Sequence, residues 1–317
     1  MELLPTDLAA RAPAPDREAE PDGFVVEISP GERIHFLDWG RPLAATQRRA
    51  DVGALLIHGL AGTAWGWTAV ARRLRPAVHA VAMDLRGHGL SDAPTDAYDP
   101  TLLADDVIAA AEGSGLLGSI GNADRRVVLA GHGFGAMVAA WAAERLGDRC
   151  AGLVLVDGGW QDVAAETGLT PAEWLRDLAE PPEVMASMIA FLDDRRDWDP
   201  GHWDADEERA ARATVVEVPA GHVVPAIRPH AMERSVEALF QYHPADILPT
   251  LDAPILASVA IDDDERTKTA ALAELDAERR ATGRGAIDVA RFPGDGHNLP
   301  RYRPAELAGA ILELIDR

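Results

Sequence analysis

The chain has 317 residues, enough for one large α/β domain or a core with an insertion, and enough to bury a core without disulfide staples. Its formal net charge of −22, with arginines and the single lysine Lys268 as the cations, argues against nucleic acid or an anionic membrane as partner. A single cysteine, Cys150, rules out an internal disulfide and fits a reducing compartment; it reads as a partly buried structural thiol.

Residues 1–22 are rich in Ala, Pro and acidic residues. They lack the basic start and apolar stretch of a secretory signal and read as a flexible N-terminal tail. No run of about 18 apolar residues occurs, so no membrane span is expected, and the reading is cytoplasmic. Strand and helix signals alternate from residue 23. Phe24-Val25-Val26-Glu27-Ile28 and Arg33-Ile34-His35-Phe36-Leu37, split by Ser29-Pro30-Gly31-Glu32, predict a hairpin. Ala54-Leu55-Leu56-Ile57 reads as a strand buried on both faces and runs into His58-Gly59-Leu60-Ala61-Gly62. A helical pattern with Trp67, Val70, Ala71 and Leu74 on one face follows. A buried strand over 78–83 leads into Asp84-Leu85-Arg86-Gly87-His88-Gly89, then a helix over about 102–112. Arg126-Val127-Val128-Leu129-Ala130 is a strand that stops at Gly131, and a helix runs over about 134–146.

The strand Gly152-Leu153-Val154-Leu155-Val156 ends at Asp157-Gly158-Gly159. From residue 160 to about 224 the helical stretches contain no clear buried strand and carry scattered Trp and Pro. Strands resume at Ile255-Leu256-Ala257-Ser258-Val259-Ala260 and Ile287-Asp288-Val289-Ala290-Arg291-Phe292, and a helix closes the chain over 304–315. The expected architecture is α/β: a mostly parallel twisted sheet with helices on both faces, a core over 23–159 and 225–317, and a helical cap over 160–224. In such sheets the chemistry gathers at the carboxyl ends of strands. Here those ends carry His58-Gly59, Asp84, Gly133, Asp157, Asp263 and His297.

Gly131-His132-Gly133-Phe134-Gly135, between a buried strand and a helix, is the informative element. Small residues there let strand and helix approach closely, and the strained central position suits a residue without Cβ. It is not a dinucleotide fingerprint, because the third glycine comes one residue early. No His/Cys/Asp cluster has zinc spacing, so neither metal nor cofactor is implied.

With His58-Gly59-Leu60-Ala61-Gly62-Thr63-Ala64-Trp65, Asp84-Leu85-Arg86-Gly87-His88-Gly89-Leu90-Ser91-Asp92 and Gly294-Asp295-Gly296-His297-Asn298-Leu299, this elbow resembles the α/β-hydrolase superfamily over residues 23–317, weakly in the middle. The resemblance implies the α/β-hydrolase fold and a catalytic order of nucleophile, acid, histidine. Gly133 then stands at the nucleophile position and His297 is the general base. The acid falls among Asp262, Asp263 and Asp264, with Asp263 favoured by spacing. Backbone N–H groups of Leu60 and Phe134 would form the oxyanion hole, each worth about 3 kcal/mol in the transition state. Asp84 and Arg86 take structural roles in their turn. Gly59, Trp65, His132 and Trp160 are candidate substrate-facing positions, although His132 and the tryptophans also suit packing. The absence of Asp at 133 argues against the covalent alkyl-enzyme route of the dehalogenase and epoxide-hydrolase branches.

Three functional readings remain open at this point. The chain is an ester- or lactone-type acyl-transfer hydrolase of a small organic substrate, inactivated by glycine where its parent has serine. Or it works without serine, His297 serving as base for hydrolysis, lyase or cyclase chemistry. Or it is a ligand-binding pseudoenzyme.

Overall fold

The structure, a computed structural model, describes residues 1–42, 46–118, 125–178, 180–261 and 265–317. The strands in chain order are β1 (Glu2–Leu3), β2 (Asp22–Ser29), β3 (Glu32–Asp38), β4 (Val52–Ile57), β5 (Ala80–Met83), β6 (Arg126–His132), β7 (Cys150–Val156), β8 (Val215–Glu217), β9 (Val223–Pro225), β10 (Ile255–Ile261) and β11 (Ile287–Pro293). All but β8 and β9 join one sheet in the order β1-β11-β10-β7-β6-β4-β5-β3-β2. From β1 to β5 every pairing is parallel, while β3 and β2 close the other edge antiparallel as the expected hairpin.

Alternation along the central strands explains the layering. Leu55 and Ile57 of β4 face a cluster shared with helices Pro100–Gly113 and Phe134–Leu146. Ala54 and Leu56 face a cluster shared with helices Thr68–Leu74 and Pro304–Asp316. Successive side chains point to opposite faces, so a strand with apolar residues at every position is stable only between two helical layers. In-register pairing of Ile57 with Gly131, His132 with Val156, and Val156 with Ser258 brings the strand ends to one rim.

Two expectations are corrected. Residues 1–22 are not a loose tail. Strand β1 pairs with β11, and helix Pro5–Arg11 buries Leu8 in the cluster of the C-terminal helix, with Arg11 paired to Glu313 at 2.7 Å. Pro5 opens that helix where a missing N–H costs nothing. One buried leucine among Ala, Pro and acidic residues is too weak a signal for composition to register.

The cap is not all helical either. Helices Val163–Thr167, Pro171–Asp177, Met188–Trp198 and Ala205–Ala213 are joined by the antiparallel pair β8–β9, which crosses the expected boundary at residue 224. Val215 and Val223 of that pair pack with Phe191 and Leu192 in a small separate core. Strands of three residues are too short to display a period of two. No helix among the described residues is long and apolar enough to cross a membrane.

Candidate active site

The turn after β6 has the geometry its glycines anticipate. Gly133 has φ 54° and ψ −118°, in the left-handed half of backbone space that costs other residues free energy. Gly135 is small for another reason: a Cβ there would lie 2.3 Å from the His58 carbonyl oxygen. The elbow helix therefore lies directly against the end of β4. Gly135→Ala is expected to cost about 1–3 kcal/mol through overpacking, read as a lower urea midpoint with an unchanged m-value.

Facing the turn is His297, on the loop after β11. Its Nδ1 donates to Asp157 Oδ2 at 2.7 Å, which leaves the Nε2 lone pair free to accept a proton. A Cβ built on Gly133 would lie 3.1 Å from that Nε2. The Asp157 side chain is only 2% exposed, whereas that of His297 is 62% exposed, so a substrate can reach the imidazole but not the carboxylate. The second oxygen of Asp157 accepts the Ala260 N–H at 3.1 Å, and its own N–H is held by the Ser258 carbonyl at 2.8 Å. Asp157 has φ 40°, and Ala61 in the loop after β4 has φ 59°. Non-glycine residues in that region cost about 1–3 kcal/mol each and gather at sites where geometry is over-determined.

The His297 partner differs from the expected one. Asp157 at the end of β7 fills the place given to Asp263; Asp262, Asp263 and Asp264 lie outside the described residues. Asp157 stands on β7, the sheet neighbour of β10, and still lies between position 133 and His297 in the sequence. The available signal was the strand-end Asp followed by two glycines. It was outweighed by spacing after β10.

Leu60 lies in the turn after β4, and Phe134 opens the helix that follows Gly133. Among the described residues neither backbone N–H has a protein acceptor. The Leu60 peptide is held from behind. Leu85 N–H donates to His58 Nε2 at 3.0 Å, so the His58 proton sits on Nδ1 and donates to the Gly59 carbonyl at 2.7 Å. That carbonyl and the Leu60 N–H belong to one planar trans peptide, so fixing one aims the other. Burial pushes His58 well below the ordinary histidine range, which keeps this neutral tautomer.

Asp84 anchors the same loop by accepting the Ala64 N–H at 2.7 Å, the Leu90 N–H at 3.0 Å and His35 Nδ1–H at 2.8 Å. Arg86 forms a buried two-bond pair with Asp106 at 2.5 and 2.6 Å. Asp84 therefore builds the turn, while Arg86 ties it to helix Pro100–Gly113.

Of the candidate substrate positions, Gly59 and His132 lie beside position 133, and Trp160 is buried. The Gly59 Cα is 4.0 Å from the Cβ position of residue 133. Trp160 is 1% exposed and packs into the core layer of the elbow helix. Trp65 is covered by the Arg209 guanidinium of the cap, 4.9 Å from the ring centre. Among the described residues no group of three or more His, Cys, Asp or Glu converges to hold a metal.

A cleft of about 600 Å³ is lined by Arg72, Trp203, Glu207, Arg301 and Tyr302 among others. Burial raises the Glu207 carboxyl from its usual 4.5 to about 7, although Arg301 Nε is 3.6 Å away. A carboxyl raised in the folded state adds stability that is complete below its unfolded value and lost as pH rises through about 7. Thermal midpoints are expected to fall between about pH 4.5 and pH 7, by an amount equivalent to at most about 3 kcal/mol, and to level off above pH 7. Glu207→Gln is expected to flatten that fall.

A sequence model described as the alpha/beta hydrolase family matches residues 54–310. Esterase PIR7B of Oryza sativa subsp. japonica is 34% identical over 145 residues, 43% of this chain and 50% of that protein. The 2-(acetamidomethylene)succinate hydrolase of Mesorhizobium japonicum is 30% identical over 129 residues, 39% of this chain and 43% of that protein. The chain thus spans about half the length of the curated relatives it matches. The crystal structure of an E-2-(acetamidomethylene)succinate hydrolase superposes with a TM-score of 0.70 at 21% identity, over 94% of this chain and 100% of that one.

Proposed function

The chain belongs to the alpha/beta hydrolase family, and from that premise we propose that it hydrolyses esters or lactones of small organic molecules by general-base attack of water, without a covalent intermediate. One observation carries this reading: a buried carboxylate holds an exposed imidazole at 2.7 Å, with Nε2 turned to a position 133 that has no side chain.

A substrate carbonyl lies over Gly133 with its oxygen toward the Leu60 and Phe134 N–H groups. His297 Nε2 takes a proton from water as the water oxygen bonds to the carbonyl carbon. The C=O electron pair moves to the oxygen, where the two N–H groups and the N-terminus of helix Phe134–Leu146 stabilise it. Asp157 stays ionised, orients the ring and offsets the imidazolium charge. The tetrahedral species collapses, the C–O bond to the leaving group breaks, and His297 returns the proton to that oxygen. The products are an acid and an alcohol. General-base help of this kind is worth about 10²–10⁴-fold, well short of a full triad. The relatives named as esterase and hydrolase support the reaction class.

The Cβ direction at 133 favours a second reading, in which the site is shaped for serine and the glycine chain binds substrate without turning it over. A panel of short aryl esters and lactones separates the two. Slow turnover by the unsubstituted chain that disappears in His297→Ala supports hydrolysis by water. Binding without turnover across the panel supports the second reading.

A further inference from the structure

We propose that His132 is a positioning residue, which fixes the loop of His297 through its carbonyl and braces the imidazole so that Nε2 stays over position 133. This rests on the reading of His297 as the base. The His132 ring sits on the elbow immediately before Gly133, yet its bond reaches across to another loop. Its Nε2–H donates to the His297 carbonyl at 2.9 Å. The two rings are 4.5 Å apart between centres and inclined at 37°. On its other side the ring is closed in by the oxyanion loop: a Cβ on Gly59 would lie 3.1 Å from His132 Nδ1. One side chain therefore spans the three loops whose relative placement sets the site.

The need for such a brace follows from the His297 surroundings. That side chain is 62% exposed, and its hydrogen bond to Asp157 fixes Nδ1. The His297 carbonyl also accepts the Leu299 N–H at 2.9 Å, a bond within the loop that does not tie it to the elbow, and a displacement of about 1 Å at a reacting group is enough to lose about 10²-fold in rate. The bond from His132 ties that same carbonyl to the elbow. The charged and titratable groups facing His132 are His297, Asp157 and His58. Desolvation, and then His297, push the His132 ring down to about 3, so it remains a neutral donor while His297 gains and loses its proton.

Two variants divide the contributions. His132→Phe keeps a ring but removes the donor. His132→Gln keeps an amide N–H within reach of the same carbonyl. The readouts are the low-field proton resonance of His297 Nδ1–H and steady-state hydrolysis of a short aryl ester. In Phe, the resonance is expected to broaden away and kcat to fall about 10- to 100-fold with KM nearly unchanged. In Gln, both are expected to return close to the parent. An unchanged resonance in Phe, or equal loss in Phe and Gln, overturns the proposal. The resonance needs no turnover, so it decides the role of His132 even if the chain hydrolyses nothing.

Discussion

Gly133→Ser is expected to raise aryl-ester hydrolysis by about 10³-fold or more and to confer labelling by a fluorophosphonate probe. On the proposed reading, with His297 as base, Asp157 as orienting acid and two backbone donors, the gain follows from restoring a nucleophile; removing that nucleophile from a complete triad costs about 10⁶-fold in a well-studied serine protease. The new Cβ projects toward His297 Nε2. At 3.1 Å it is tight, so the imidazole must yield by a few tenths of an ångström, and its 62% exposure gives it room. A stability cost accompanies the gain. A side chain at φ 54° costs about 1–2 kcal/mol, so the serine form should melt a few degrees lower while working faster. Improved stability without labelling would mean that the turn does not present residue 133 to His297.

The second large effect belongs to Asp157. Asp157→Asn is expected to lower kcat by about 10²- to 10⁴-fold in either the glycine or the serine form, because an amide in place of the carboxylate neither holds the Nδ1–H tautomer nor offsets the imidazolium charge. Asp263→Asn is expected to leave the rate essentially unchanged. The comparison is best made with circular dichroism beside it, since Asp157 Oδ1 also ties the end of β10 through Ala260. The reverse pattern, with Asp263 essential and Asp157 dispensable, would return the acid to the later strand.

Much of the fold was legible because its central strands are apolar at every position. The run Ala54-Leu55-Leu56-Ile57 needs helical cover on both faces, and the three-glycine turn after β6 can be built only where a strand meets a helix at close range. The positions of His297, Leu60 and Phe134 near the elbow follow from the same pattern, since each comes after a strand end. Asp157 was harder to assign because strand ends at β7 and β10 both carry aspartate, and only the approach of the His297 loop chooses between them. The packing of residues 1–22 depends on Leu8 meeting the last helix some 300 positions later, which no local pattern records. In the cap, the hairpin β8–β9 is held by contacts to Phe191 and Leu192 rather than by its own alternation. Trp160 is read as a pocket wall from its neighbours in sequence, but it is buried in the core.

Direct attack by water is tested most sharply by rapid-mixing kinetics of the unsubstituted chain with a p-nitrophenyl ester, at enzyme concentrations that make one turnover visible. The expected result is a linear release of nitrophenol from the first moment, no fluorophosphonate adduct by mass spectrometry, and loss of the rate in His297→Ala. A burst equal to the enzyme concentration, or a rate untouched by His297→Ala, would contradict general-base hydrolysis at Gly133.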